Sequence, residues 1–166
     1  LGLTEADVAD VYIKDSYVSP HNGVTHLYLQ QRRHGVEIYH AILGMAVSAS
    51  GEVVYVSNRF AAKTASLPAP APSVSAEEAV RIAAAHLALP LQAPLELWER
   101  YPGPASKALF SPAGISRRSI PVELVYQPMG RGRLVLVWNV RIETLDQQHW
   151  WNLRVDAEAG AVISQD

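Results

Sequence analysis

The side chains able to do chemistry in this 166-residue sequence are few and scattered. Cysteine is absent, which removes a thiol nucleophile, a disulfide framework and any cysteine–zinc site. No His-Glu-x-x-His run places two imidazoles on one helical face for zinc, and there is no Gly-x-Ser-x-Gly nucleophile turn or Gly-x-Gly-x-x-Gly phosphate cradle. Six histidines remain: His21, His26, His34, His40, His86 and His149. His21 and His26 flank a turn and a strand start, His34 and His40 flank Gly35, and no carboxylate stands at ligand spacing from them. They read as solvated or edge residues rather than a metal site. His86 falls on the polar side of a helix with Glu78 and Arg81, which suits a surface position. Glu77 and Glu78 could share acid–base work. Helix capping explains Glu78, however, and Glu77 suits the positive end of the helix dipole. Arg117-Arg118 and Arg131/Arg133 read as solvated turn clusters, with contact to an acidic partner as the alternative.

His149-Trp150-Trp151 is the most unusual tripeptide. On a strand its two tryptophans point to opposite faces. Trp151 shares a face with Leu153 and Val155 and reads as core, whereas Trp150 falls with Asn152 and Arg154. An outward Trp is either an interface anchor or is packed under a neighbouring loop.

The elements that must position these residues divide the chain in two. Thr4 with Asp7 opens a short helix, with Leu3 and Val8 placed as a hydrophobic staple. Strands are predicted over Val24 to Arg33, Val36 to Ala49 (bulged at Gly44) and Glu52 to Arg59, with Asn22-Gly23, Gly35 and Gly51 turning the chain. Residues 61–74 are Ala/Pro-rich without periodicity and read as a linker. Ser75 and Glu78 then frame a capping box, and Val80, Ala83, Ala84 and Leu87 form a helical stripe. A strand near Leu95 to Tyr101 follows, and residues 102–119 read as a loop or lid. Ile120 to Tyr126, Arg133 to Leu145 and His149 to Val155 are the best strands, before a last one at Ala161 to Ser164. Each half begins with a capped helix and ends in a Gly-x-Val strand, Gly51-Glu52-Val53 or Gly160-Ala161-Val162. The expected fold is α+β: two related units of antiparallel sheet, each with a helix packed on one face, cystatin/PepSY-like, over 1–60 and 75–166 with 61–74 between.

Composition adds exclusions. Hydrophobic residues make up 49% and charged residues 18%, a globular balance, and the net charge is −2. That charge gives no electrostatic footprint for nucleic acid or an anionic membrane. No apolar run approaches the ~20 residues of a membrane helix. The start at Leu1 instead of Met suggests a processed or trimmed piece, with any signal peptide removed.

Three stretches resemble the fungalysin/thermolysin propeptide module: His21-Asn22-Gly23-Val24-Thr25-His26-Leu27-Tyr28-Leu29-Gln30-Gln31, Gly35-Val36-Glu37-Ile38-Tyr39-His40-Ala41, and Gly51-Glu52-Val53-Val54-Tyr55-Val56-Ser57-Asn58. Ser50 stands where that module often has Asp, and Tyr39-His40-Ala41 where Phe-x-Ala is typical. The second half is similar to the PepSY-type region that follows the module, through Ser75-Ala76-Glu77-Glu78-Ala79-Val80, Leu136-Val137-Trp138-Asn139-Val140 and Trp150-Trp151-Asn152-Leu153-Arg154-Val155-Asp156-Ala157 with Gly160. The resemblance is nearest the fungalysin-like branch, family M36.

The resemblance implies a non-catalytic pro-region of a secreted zinc metallopeptidase. Such a region acts as an intramolecular chaperone and autoinhibitor that docks on the catalytic domain and blocks its cleft. Zinc would then belong to the partner catalytic domain, with no cofactor in this chain. Partner contacts are expected at His149, Trp150, Ser164, Gln165 and Asp166, with Asp166 or His149 able to reach the zinc. Neither nucleic acid nor membrane is expected as a partner. Two other readings stay open: a freestanding secreted PepSY-type module that binds or inhibits proteases in trans, and an enzyme on a cystatin-like scaffold. The enzyme would need a buried, pKa-shifted acid or histidine in a pocket.

Overall fold

Apolar alternation and Gly-containing turns make the chain mostly antiparallel strand with few helices, an α+β architecture. The computed structural model describes residues 2–130 and 132–166. Leu1, where the start was read, and Arg131 of the Arg131/Arg133 cluster lie outside the described residues. The chain forms two compact units, Leu1–Ala69 with Pro128–Leu134 and Pro70–Gln127 with Val135–Asp166.

The first unit opens with α1 (Glu5–Val8), a single turn. Thr4 N–H and Thr4 Oγ1 both donate to Asp7 Oδ2 at 2.8 Å, so the expected Thr4–Asp7 pairing forms. Val8, expected to form a staple with Leu3, is 45% exposed. Four antiparallel strands follow as a meander: β1 (Val11–Val18), β2 (Thr25–Arg33), β3 (Val36–Val47) and β4 (Val53–Asn58). His34 and Gly35, at φ 52° and 73°, join β2 to β3. Two successive positive φ values make this a type I′ turn, whose twist matches the strands.

The bulge in β3 lies elsewhere than the sequence suggests. Gly44 pairs regularly with Tyr28 and Ser57. Gln30 pairs with Ile42 but Arg32 pairs with Glu37, so the extra residues fall between Ile38 and Ala41, where His40 takes φ 57°. The buried amide of Gln30 explains how this is tolerated. Its Nε2 donates to Ile38 O at 2.8 Å and to Ala41 O at 3.2 Å, satisfying carbonyls taken out of the ladder.

Among the described residues of this unit there is no long helix: its one α-helix is the turn α1, which meets the 3-10 turn Thr64–Ser66. The expectation of a packed helix in each unit therefore fails here. The physical reason is length: four residues cannot present an apolar stripe, and the buried side chain of α1 is the acid Asp7.

The second unit has that helix. α2 (Ala76–His86) is capped by Ser75 Oγ, which accepts from Glu78 N–H at 3.1 Å. Its buried residues Ala79, Val80, Ala83 and Ala84 pack against β9 (Trp150–Asp156) and β10 (Val162–Gln165). Complete burial of Val80 contributes about 1.5–3 kcal/mol. Between α2 and β9 the chain adds β5 (Leu97–Arg100), β6 (Ala108–Phe110), β7 (Ile120–Pro128) and β8 (Leu134–Glu143). Within this unit the neighbouring strands follow the order β5-β6-β7-β8-β9-β10. Trp138 Nε1–H donates to Val74 O at 2.8 Å, tying the segment before α2 to the sheet.

Residues 102–119 are mostly loop, as expected, but they contain β6 and bury Ala108, Phe110, Ser111, Ala113 and Ile115. Their small residues, which read as loop composition, are what allow close packing: a Cβ on Gly114 would meet Gln92 Cβ at 2.5 Å.

Candidate functional site

The described residues hold no group of three or more His, Asp or Glu side chains arranged to bind a metal ion. The histidines are engaged separately. His26 stacks on Tyr17 with centroids 4.8 Å apart, His40 stacks on Tyr39 at 4.0 Å, and His34 Nε2 lies 2.9 Å from Leu67 O.

The five residues expected to touch a partner fall on β9, β10 and the turn before β9. Four of them are occupied within the unit. Ser164 Oγ accepts from Arg154 Nη2, and the Asp166 carboxylate takes Arg154 Nη1 at 2.8 Å and Nη2 on its other oxygen. Gln165 Oε1 lies 3.1 Å from His86 Nε2, at the end of α2. His149 stacks almost parallel on Trp151 at 5.0 Å and stands 3.7 Å from Asp146. The Thr144 hydroxyl and then the Gln148 N–H hold the Asp146 carboxyl below the usual carboxylate range, against the opposing effect of burial, and His149 adds to the lowering. Only the indole of Trp150 lacks a polar or ring partner among the described residues, and it is 64% exposed.

Arg154, placed by its strand position beside outward-facing Trp150, is only 1% exposed. Its guanidinium bridges β9 to β10, and Asp166 also exchanges both backbone hydrogen bonds with Asn152 at 3.0 Å. The Arg154/Asp166 spacing of twelve residues carries no periodic signal, so sequence reasoning missed this clasp. Asp166, considered as a zinc-reaching side chain, has its carboxylate on Arg154 instead.

The first unit carries an equally hidden acid. Asp7 is buried, and Thr64 N–H and Oγ1 donate to its Oδ1 at 2.7 and 2.9 Å, opposite the Thr4 donors on Oδ2. Burial alone would raise its pKa. The Thr4 and Thr64 backbone and hydroxyl donors outweigh that and hold it far below the usual carboxylate range. A carboxylate locked in the anionic form by donors serves as an anchor, not as an acid or base. Gln31 completes the anchor: its Nε2 donates to Asp7 O at 2.7 Å and Ala61 O at 2.8 Å, and its Oε1 accepts from Ala61 N–H at 2.7 Å.

One concave surface of the first unit is open. A groove of about 700 Å³ runs along one face of β2, β3 and β4, lined by His26, Tyr28, Ile42, Gly44, Tyr55 and Arg59 among others. Beside it β4 exposes Val53, Val54, Tyr55 and Val56 in succession. Sequence reading placed this strand but assigned it no contact.

Comparison with known proteins agrees with the resemblance. Residues 9–60 match the Fungalysin/Thermolysin Propeptide Motif. An extracellular metalloproteinase of Aspergillus terreus is 30% identical over 156 residues, covering 91% of this chain and 24% of that protein. The extracellular metalloproteinases of Leptosphaeria maculans (30% identical, 91% and 24%) and Aspergillus niger (31%, 90% and 24%) align in the same way. The chain thus spans about a quarter of the length of the curated relatives it matches. The matched motif is a propeptide motif, and the chain corresponds to a non-catalytic part of those proteins. The solved Bacillus megaterium YpeB C-terminal domain overlays 95% of this chain and 56% of its own, at 15% identity and a TM-score of 0.44.

Proposed function

We propose that this chain, which carries the Fungalysin/Thermolysin Propeptide Motif on residues 9–60, is the pro-region of a secreted zinc metallopeptidase. It assists folding of the catalytic domain and blocks the active-site cleft until it is removed. The observation that carries this reading is the propeptide motif inside a 91% alignment to extracellular metalloproteinases. The zinc is held by the partner domain. The extracellular relatives support secretion of this chain, with a signal peptide ahead of the folded part as an expectation of the reading.

Inhibition is steric in this reading. The segments 1–60 and 75–166 act as two docking modules, with 61–74 as the connection. Trp150 is the best anchor of the five named contacts, because docking it removes a large exposed apolar surface without breaking an internal bond. Ser164 and Asp166 act by holding β10 in place through Arg154, and Gln165 and His149 line the same end of the second unit.

Reading the gene beyond the Asp166 codon tests this. A continuing frame with His-Glu-x-x-His on a helical segment and a later Glu as third ligand is expected. A stop codon there would instead favour a freestanding inhibitor acting in trans.

A further inference from the structure

The open edge of β4 has the attributes of a docking strand. Among the described residues β4 pairs only with β3. Arg59 N–H donates to Ile42 O at 3.1 Å, continuing the Asn58–Leu43 and Ser57–Gly44 register. In an antiparallel ladder alternate residues turn their backbone groups to the partner. Ser57 therefore bonds toward β3, while Val56 and Asn58 turn their N–H and C=O groups outward.

That edge is unprotected. Natural sheets blunt exposed edges with Lys, Pro or inward charges. Val53–Asn58 contains none of these, and Val53, Val54, Tyr55 and Val56 are 56%, 60%, 63% and 49% exposed. The groove adjoins the edge on the face of Tyr55 and Ser57. Its floor is open because Gly44 has no side chain, and the nearest atom to a Cβ there is the Tyr28 ring at 3.8 Å. At one end stands Arg59, exposed, with no ion pair or side-chain hydrogen bond among the described residues.

From these features we infer that the β4 edge and its groove bind an extended segment of the catalytic domain by strand addition. That segment pairs with the backbone of Val56 and Asn58, sets alternate apolar side chains over Gly44 and Tyr55, and places a carboxylate against Arg59. The occupant is an extended strand because unsatisfied ladder groups demand one. It is acidic at one end because the only charge along residues 53–59 is a cation without a partner. The identity of the partner rests on the pro-region reading; the binding chemistry of the edge does not.

Three variants of the full chain test this surface. Val56→Pro removes only an outward N–H, which an edge strand tolerates. Gly44→Val fills the groove at a position whose Cβ has room. Arg59→Glu reverses the end charge. Inhibition of the catalytic domain encoded with the chain is expected to weaken at least ~10-fold for each, while the melting temperature stays within a few degrees of the parent. Wild-type inhibition that all three variants retain unchanged overturns the proposal and leaves the pro-region reading standing.

If the wild-type chain does not inhibit, the pro-region reading fails and a peptide arm decides the surface alone. Acetyl-Asp-Val-Thr-Val-Thr-Val-Asp-amide is expected to shift the amide resonances of Val56 and Asn58 more than those of Tyr55 and Ser57. The same peptide with Lys at both ends should bind at least ~10-fold more weakly. Equal binding of the two peptides, or shifts confined to other residues, overturns the proposal. So does protection of Val56 and Asn58 that appears without peptide as the chain dimerises, which would assign the edge to a second copy.

Discussion

The guanidinium of buried Arg154 grips both carboxylate oxygens of Asp166 across β9 and β10, so the last described residue is also the counter-charge of a core arginine. An unpaired cation at that depth is costly, although Asp166 is half exposed and water can enter once its carboxylate is lost. Asp166→Ala is expected to destabilise the chain by about 1–3 kcal/mol, read from urea midpoints. The double variant Arg154→Met/Asp166→Ala should recover part of that loss, because no orphan charge remains. A double variant less stable than Asp166→Ala would contradict this account.

Asp7 predicts an acid-dependent stability. Its pKa is lowered in the folded chain, so its contribution is complete above the unfolded carboxylate value of about 4 and is lost as pH falls below it. Asp7→Asn should cost about 2–4 kcal/mol at pH 7 and flatten the fall in stability between roughly pH 4 and pH 2. Denaturation curves across that range check the sign. An unchanged slope would mean that another carboxylate governs acid unfolding.

Gln31 is the polar keystone between Asp7 and Ala61. Gln31→Met preserves volume but orphans Asp7 O and both backbone groups of Ala61. A loss of about 2–3 kcal/mol is expected, with faster amide exchange around residues 61–64. Exchange that speeds only within β2 would place the effect in the sheet instead.

Trp150 separates docking from folding. Trp150→Ala should leave the melting temperature within about 2 °C, since the side chain is largely exposed, and should weaken inhibition roughly 30-fold as lost anchor area. A parallel fall in both quantities would make Trp150 a structural residue.

Local patterns were legible in the sequence. The Thr4–Asp7 pair, the Ser75 cap and the β2–β3 turn at Gly35 all depend on neighbours within a few residues. Side chains that satisfy distant backbone were not legible. Asp7 reaches Thr64 across 57 positions, and Gln30 and Gln31 look like ordinary polar strand residues until the bulge at His40 and the 61–64 segment come beside them. Residues 102–119 are mostly loop, as their composition suggests; the short strand β6 and the burial within the stretch were not legible, because Gly, Ala, Ser and Pro serve close packing as readily as loops. Among the contact residues, exposed Trp150 followed from strand parity. The burial of Arg154 did not, because parity places it with Trp150, while its guanidinium is held by Ser164 and Asp166, ten and twelve residues on.

The central claim is tested most directly by titrating the 166-residue chain into the metallopeptidase that the pro-region reading expects beyond Asp166 and following peptide-substrate hydrolysis. The account predicts stoichiometric, reversible inhibition that disappears when the chain is proteolysed. Full activity at a large molar excess of intact, folded chain would contradict it.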